Sequence, residues 1–572
     1  MRKSKPKIPK ILRRKYSLLM KIRRLSLLGG LSVVLTCAQG VWTFLSAYSP
    51  PERITFFDQG WNGEIRQNFY HAPQGTRLLP YSWFLALEQW NNRLPFLEDQ
   101  YLENLGLIPD HNPQKNPDHL PVGFAKSVDP IGKDTWVGLT CAACHTLEFR
   151  YQNAKLRVDG GPSFFDAMKF AEELEKALAV LTRPQNDEGK FSRFATRVLK
   201  SGNNETVALL KKKVEKFLDV LRMPKSLAAM QQITLYPIEW GKGRLDALGR
   251  GGNTVLLKLH AANLRPADAP VSYPAIWDSW NLYRVQWNGA IIQPMGRNLL
   301  QALGLNANVI ITSGPEQFRS SVNPKDLFQI ETYIKNIRPP TWPSEIFQQP
   351  IDKARVVRGS ILYEKHCAHC HVPKLTRKND AGPKFKNVHL IPIDEIGTDP
   401  IAANNFNTRL VYTGPLEMGL LTASDTAEFL TTKILERSYG ELHLSENEKQ
   451  AWNGFRPNQM KSPLAYVARP HSGVWALAPY LHNGSIPNLY QLLSTKEERD
   501  DRFYIGNREF DPIKVGFVTT RSSADDFLFD TSIPGNSKAG HEFRDGPRQN
   551  GVIGPKLSEE EKWNLIEFLK TL

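Results

Sequence analysis

The chain has 572 residues, of which 41% are hydrophobic, 10% aromatic and 23% charged. That balance excludes a disordered, collagen-like or multispanning membrane protein and leaves room for several domains. The formal charge of +15 is concentrated: residues 1–24 hold eleven Lys or Arg and no acid, so only +4 is left for the remainder. It is a terminal tail rather than a basic surface, and no nucleic-acid partner is expected.

In chain order, the tail 1–24 is followed by 24 uncharged residues, 25–48. At ~1.5 Å per residue these suffice to cross a bilayer core of ~30 Å. Basic residues stay cytoplasmic during insertion, so everything after Tyr48 is expected to be exported. A cleaved signal near Ser46-Ala47 and an uncleaved anchor are both compatible with this arrangement. The apolar run exceeds the ~7–15 residues of a signal core, which favours the anchor. Cys37, within the run, reads as a small buried residue.

The first cysteine cluster is Cys141-Ala-Ala-Cys144-His145. Two helical patterns follow, at 164–181 and 205–223. The Gly-, Pro- and Asn-rich stretch 225–300 reads as ordered loops, because its many aromatics argue against disorder. Apolar periodicity from Leu327 predicts a helix stopped by Pro339-Pro340. A helix is then expected to lead into Cys367-Ala-His-Cys370-His371. The chain closes on an amphipathic helix with a Ser558/Glu561 capping box. No sheet-forming alternation or short-period repeat stands out.

The four cysteines after Cys37 thus form two C-x-x-C-H motifs, the haem c attachment pattern. Two thiols add to two vinyl groups on one porphyrin edge, and the next residue brings an imidazole under the iron. One such motif arises by chance roughly once in a thousand chains of this composition. A zinc site would place its C-x-x-C pairs ~15–20 residues apart, and these lie far further. A thioredoxin-like pair would need a βαβ context. Two covalent haem c groups are expected, with His145 and His371 as proximal iron ligands.

The helix carrying the second motif and the closing helix resemble a small cytochrome c domain. The expected fold is therefore mainly α, with two cytochrome c-like haem domains at 50–340 and 345–572, the first enlarged by helical and loop insertions. Two C-x-x-C-H domains in one exported chain resemble the bacterial dihaem cytochrome c peroxidase superfamily. The blocks QGTRLLPYSWFLALE (74–88), VGLTCAACHT (137–146), GRLDALGRGGNTVL (243–256), APVSYPAIWDSW with VQWNG (269–289), APYLHNGSIPNLYQLL (478–493) and NSKAGHEFRDGP (536–547) look closer to its rubber-oxygenase-like branch.

The resemblance implies a periplasmic oxidoreductase activating H2O2 or O2 at the N-terminal haem. The C-terminal haem would relay electrons from a cytochrome c or cupredoxin, an iron with two strong protein ligands being closed to oxidants. It also implies His541 as the sixth ligand of the second haem, with Met418, His471 and His482 as competitors. For the first haem no distal histidine is evident, and His260 reads as a surface residue. Trp277, Gln286 and Trp287 are the candidates for a reactive distal wall, Gln286 or Asn288 bonding oxygen and the tryptophans keeping the pocket apolar.

Ile276 and the run AIIQP stand where rubber-cleaving relatives carry bulky aromatics, which counts against polyisoprene as substrate. A peroxidase would need a distal acid or base, for which Glu239, Asp246 and Asp278 are available. In GRLDALGRGG, which lacks both GK[ST] and a preceding predicted strand, Arg244 and Arg250 fit haem propionates better than a nucleotide. Calcium between the haem domains is known in this superfamily, and no oxygen-ligand motif here establishes it.

Overall fold

Thr135–Leu139 runs as a strand into Thr140, whose hydroxyl accepts the Ala142 N–H at 3.3 Å and starts a one-turn helix, Cys141–Cys144. His145 closes that turn, and the chain leaves as the strand Thr146–Tyr151, which pairs antiparallel with Ala154–Asp159. The first motif is therefore held between two sheets. Its helix rests on Gly123, whose φ is +91° and where any Cβ would meet the Ala143 backbone at 2.1 Å, so only glycine fits. The computed structural model describes residues 54–183, 189–199, 206–372 and 387–572. The basic tail and the apolar run 25–48 lie outside the described residues, among which no helix is long and apolar enough to cross a membrane.

The mainly α expectation is overturned. The described residues are 38% helix and 15% strand, with 18 helices and many small sheets among them, a mixed α/β architecture. The strands are two to six residues long and pair in twos and threes. Elements that short contain too few alternations for a period of two to register in the sequence. A two-residue strand, Arg244–Leu245, even precedes the glycine-rich turn where none was expected, and it pairs with Val271–Ser272.

The inserted helices occupy Ala167–Val180 and Val207–Met230, the second continuing through Pro224. They cover an apolar cluster that includes Phe84, Phe124, Phe170, Leu178, Phe194 and Leu210. Within the expected loops 225–300 lies the helix Gly249–Leu256, and Pro294–Gly304 begins there. Those two approach so closely that a Cβ on Gly304 would sit 3.2 Å from the Gly251 Cα.

Lys353–His366 leads into the second motif and crosses Glu559–Leu569, which has the expected Ser558/Glu561 capping box. Gly359 makes that crossing: a Cβ there would lie 2.0 Å from the Asn564 carbonyl oxygen. Tyr363 and Phe568 pack alongside, ring centroids 5.1 Å apart. The largest apolar cluster draws residues from both sides of Pro339-Pro340, Trp277 and Phe149 with Trp475 and Phe510 among them.

An internal duplication supports both motifs. Segments 271–291 and 466–486 take the same course, each residue matching the one 195 positions later, as Pro274 matches Arg469. Both begin in a strand and pass through a positive-φ residue, Asp278 or Gly473, each with φ 64°. Both continue as a short 3-10 helix, Ser279–Asn281 or Val474–Ala476. Both end in a hairpin closed by Val285↔Ile291 or Tyr480↔Ile486, with positive φ at Gln286 and Gly289 or at Leu481 and Gly484. The copies dock on each other reciprocally: the Ser272 N–H donates to the His482 carbonyl and the Val467 N–H to the Trp287 carbonyl, each at 2.8 Å. Since 272 corresponds to 467 and 287 to 482, the contact has a local two-fold relation.

Candidate functional site

Cys141, Cys144 and His145 open on one cavity, bounded by the first copy of the duplicated segment and by Gly249–Leu256 and Pro294–Gly304. Its empty space is ≈1680 Å³, part of it open to solvent. His145 donates its Nδ1–H to the Pro274 carbonyl at 2.7 Å, which leaves Nε2 with its lone pair for a metal. Burial pushes the imidazole down to about 4, so it stays neutral, as a ligand must. Burial pushes the thiols the other way, Cys141 to about 11 and Cys144 to about 12. A redox-active C-x-x-C pair lowers its thiol pKa instead, and none of the four motif cysteines is in a disulfide.

The cavity wall mixes apolar side chains such as Leu248, Leu256, Ile291 and Phe406 with four arginines, Arg250, Arg297, Arg409 and Arg469. No Asp or Glu is among the described residues lining it. Arg297 is paired outside the lining with buried Glu331. Arg409 donates to Asn253 and to the Asn263 carbonyl, and its Nε is buried without a hydrogen-bond partner. Enclosed guanidiniums in an apolar cavity favour an anionic occupant. Two thiols, one free imidazole nitrogen and several guanidiniums together fit a porphyrin, which brings vinyl groups, an iron and two carboxylates.

The second motif repeats the arrangement. His371 donates Nδ1–H to the Arg469 carbonyl at 2.7 Å, the counterpart of the Pro274 bond. The ring of His541 stands edge-on to that of His371, centroids 6.2 Å apart and planes at 72°. His541 is fixed by backbone hydrogen bonds from its N–H to Ile396 and from Arg499 to its carbonyl. Its Nδ1 is buried without a hydrogen-bond partner, and burial holds the ring at about 3.

The competing residues are placed otherwise. His471 stacks flat on His371 at 4.0 Å and hydrogen-bonds the Tyr363 hydroxyl, while His482 stacks on Tyr466 at 3.9 Å. Met418 is exposed. Residues 373–386, which follow this motif in sequence, lie outside the described residues.

Of the three distal-wall candidates, Gln286 and Trp287 line the first cavity and Trp277 does not. Trp277 is buried where the duplicated segments meet, its indole N–H donating at 2.9 Å to the carbonyl of Ser472, its own counterpart. Asn288 is buried in the hairpin, capping Ala290 N–H. Among the carboxylates, Glu239 is exposed. Asp246 is buried, accepts the N–H groups of Gly249 and Ala269, and is pushed up to about 6 by burial. Asp278 lies near enough to Arg469 to favour its charge. None of the three lines the cavity.

His260 is an exposed N-cap, accepting Ala262 N–H. Arg250 lines the cavity and donates to the Gly304 carbonyl at 3.3 Å, whereas Arg244 is buried elsewhere against Asn536 and the Phe529 ring. No group of three or more His, Cys, Asp or Glu among the described residues could hold a further metal ion.

Sequence reasoning missed Arg297, Arg409, Arg469 and both carbonyls that orient the proximal histidines. The duplication was the available signal: W-x(7)-N-G-x-I occurs from Trp280 and again from Trp475.

Motif chemistry and the crossing of two terminal helices define a c-type cytochrome, and the comparisons agree. Residues 465–504, which contain the whole second copy, match the family described as RoxA-like, cytochrome c-like, which implies haem c. Over 578 aligned positions the chain is 38% identical to the uncharacterised protein y4iJ of Sinorhizobium fredii, covering 92% of this chain and 95% of that one. The chain belongs to the family of y4iJ. The uncharacterised protein y4iM of the same organism is 28% identical over 52% of this chain and 63% of its own length.

Proposed function

We propose that this chain is an exported dihaem c-type oxidoreductase of the dihaem cytochrome c peroxidase superfamily, in which an oxidant, O2 or H2O2, reacts at the His145 site while the His371 site relays electrons. The observation that carries this reading is an asymmetry between equivalent sites. His371 is faced by a second buried imidazole, His541, whereas the cavity at His145 contains no other histidine among its described lining residues.

When bound, haem iron supplies reversible one-electron chemistry and, where a position is vacant, a place for oxygen. The chain supplies the rest. Pro274 and Arg469 orient the two imidazoles through their carbonyls, and the cavity arginines hold carboxylates. Gln286 offers an amide hydrogen-bond donor in the cavity wall, next to Trp287 in the chain. The described lining provides no carboxylate to shuttle a proton, which favours oxygenation of an apolar substrate over heterolytic peroxide cleavage. The basic tail and the apolar run 25–48 support a periplasmic body anchored in the inner membrane. In the peroxidase version its electron donor would be a cytochrome c or cupredoxin.

The test is haem counting by pyridine haemochrome, followed by CO titration of the ferrous protein. Turnover is then assayed with H2O2 plus reduced cytochrome c, and separately with polyisoprene or a short alkene under air. Two haems per chain with CO at one are expected. Two low-spin haems inert to CO, H2O2 and O2 would leave a non-catalytic electron carrier instead.

A further inference from the structure

Arg469 belongs to both sites at once. Its carbonyl accepts the Nδ1–H of His371 at 2.7 Å. Its side chain crosses the local two-fold contact into the cavity of His145 and donates Nη2–H to the Ala275 carbonyl at 2.7 Å. Ala275 adjoins Pro274, whose carbonyl orients His145. One side chain and three backbone carbonyls, those of Arg469, Ala275 and Pro274, therefore join one proximal ring to the other. The counterpart of Arg469 in the first copy is Pro274, which has no side chain to reach back, so the link is made from one side only. A duplicated fold does not itself require it, because the Ser272–His482 and Val467–Trp287 backbone bonds already dock the copies symmetrically.

We infer that Arg469 is a positioning residue that couples the two proximal histidines, orienting His371 through its main chain, steadying the Pro274–Ala275 segment that orients His145, and placing a fixed cation beside the first site. The inference rests on the dihaem reading proposed above. A cation next to an iron site favours the reduced, less positive state. Removing it therefore lowers the reduction potential there, and loosening the tether changes how both rings are held.

The experiment compares Arg469→Gln and Arg469→Lys in the holoprotein. Haem content is counted first, followed by a redox titration of each haem and the Nδ1–H resonances of both proximal histidines. For Arg469→Gln the first haem's reduction constant should fall at least tenfold, about 59 mV for a one-electron couple, with altered ring resonances at both sites. Arg469→Lys keeps the charge without the planar fork and should restore the potential but not the resonances. A two-haem Arg469→Gln protein with both potentials and both resonances unchanged, or with changes confined to one site, overturns the inference. A protein carrying a single haem overturns the dihaem reading instead.

Discussion

Replacing His541 by alanine tests the asymmetry directly. Two imidazoles sharing one iron each need a metal–nitrogen bond of ~2.0–2.1 Å. The observed centroid separation of 6.2 Å then leaves about 2 Å, the sum of two ring half-widths. His471, stacked flat at 4.0 Å, is too close and wrongly oriented to take the place of His541 across the metal. In His541→Ala the second haem should accordingly change from low-spin to high-spin, and CO bound per chain should rise from about one to about two. Fold retention is read from far-UV circular dichroism, and the spin change by electron paramagnetic resonance. A variant still low-spin at the second haem, with CO uptake unchanged, would refute the assignment and direct attention to residues 373–386.

Two further predictions follow from packing and charge. Gly359→Ala puts a methyl 2.0 Å from the Asn564 carbonyl. The crossing helices must part, at about 1–3 kcal/mol on the scale of overpacked cores. A denaturant midpoint equal to that of the parent protein would contradict this. His482 is buried against Tyr466, and burial holds it at about 3, compared with ~6.5 in an unfolded chain. The unfolded state therefore takes up its proton first as the pH drops, so stability is full above ~6.5 and declines toward 3. Chemical denaturation across that window should show a shallower decline in His482→Gln, and an identical decline would remove His482 as its source.

What the residue order determined alone is the presence of two C-x-x-C-H motifs, on which the dihaem reading rests. Thioether linkage and proximal ligation depend on five consecutive residues, and C-x-x-C-H is complete within that span at both 141–145 and 367–371. The helices Lys353–His366 and Glu559–Leu569 were also legible, because a capping box and an apolar face are local features, whereas their crossing was implied only by the resemblance to a small cytochrome c domain. The many small sheets were not, since strands of two to six residues take their partners from elsewhere in the chain and carry little periodicity of their own.

Nor were three of the first cavity's arginines, Arg297, Arg409 and Arg469, which converge with Arg250 only when Gly249–Leu256 closes on Pro294–Gly304 and the second copy docks on the first. Tertiary structure alone decided that Trp277 lies between the copies rather than in the cavity, and it sets the edge-on ring geometry of His541, the residue the resemblance had implied, against the stacked His471. Ligand facing is a matter of distance and ring angle between distant segments, and a linear sequence encodes neither until the chain has packed.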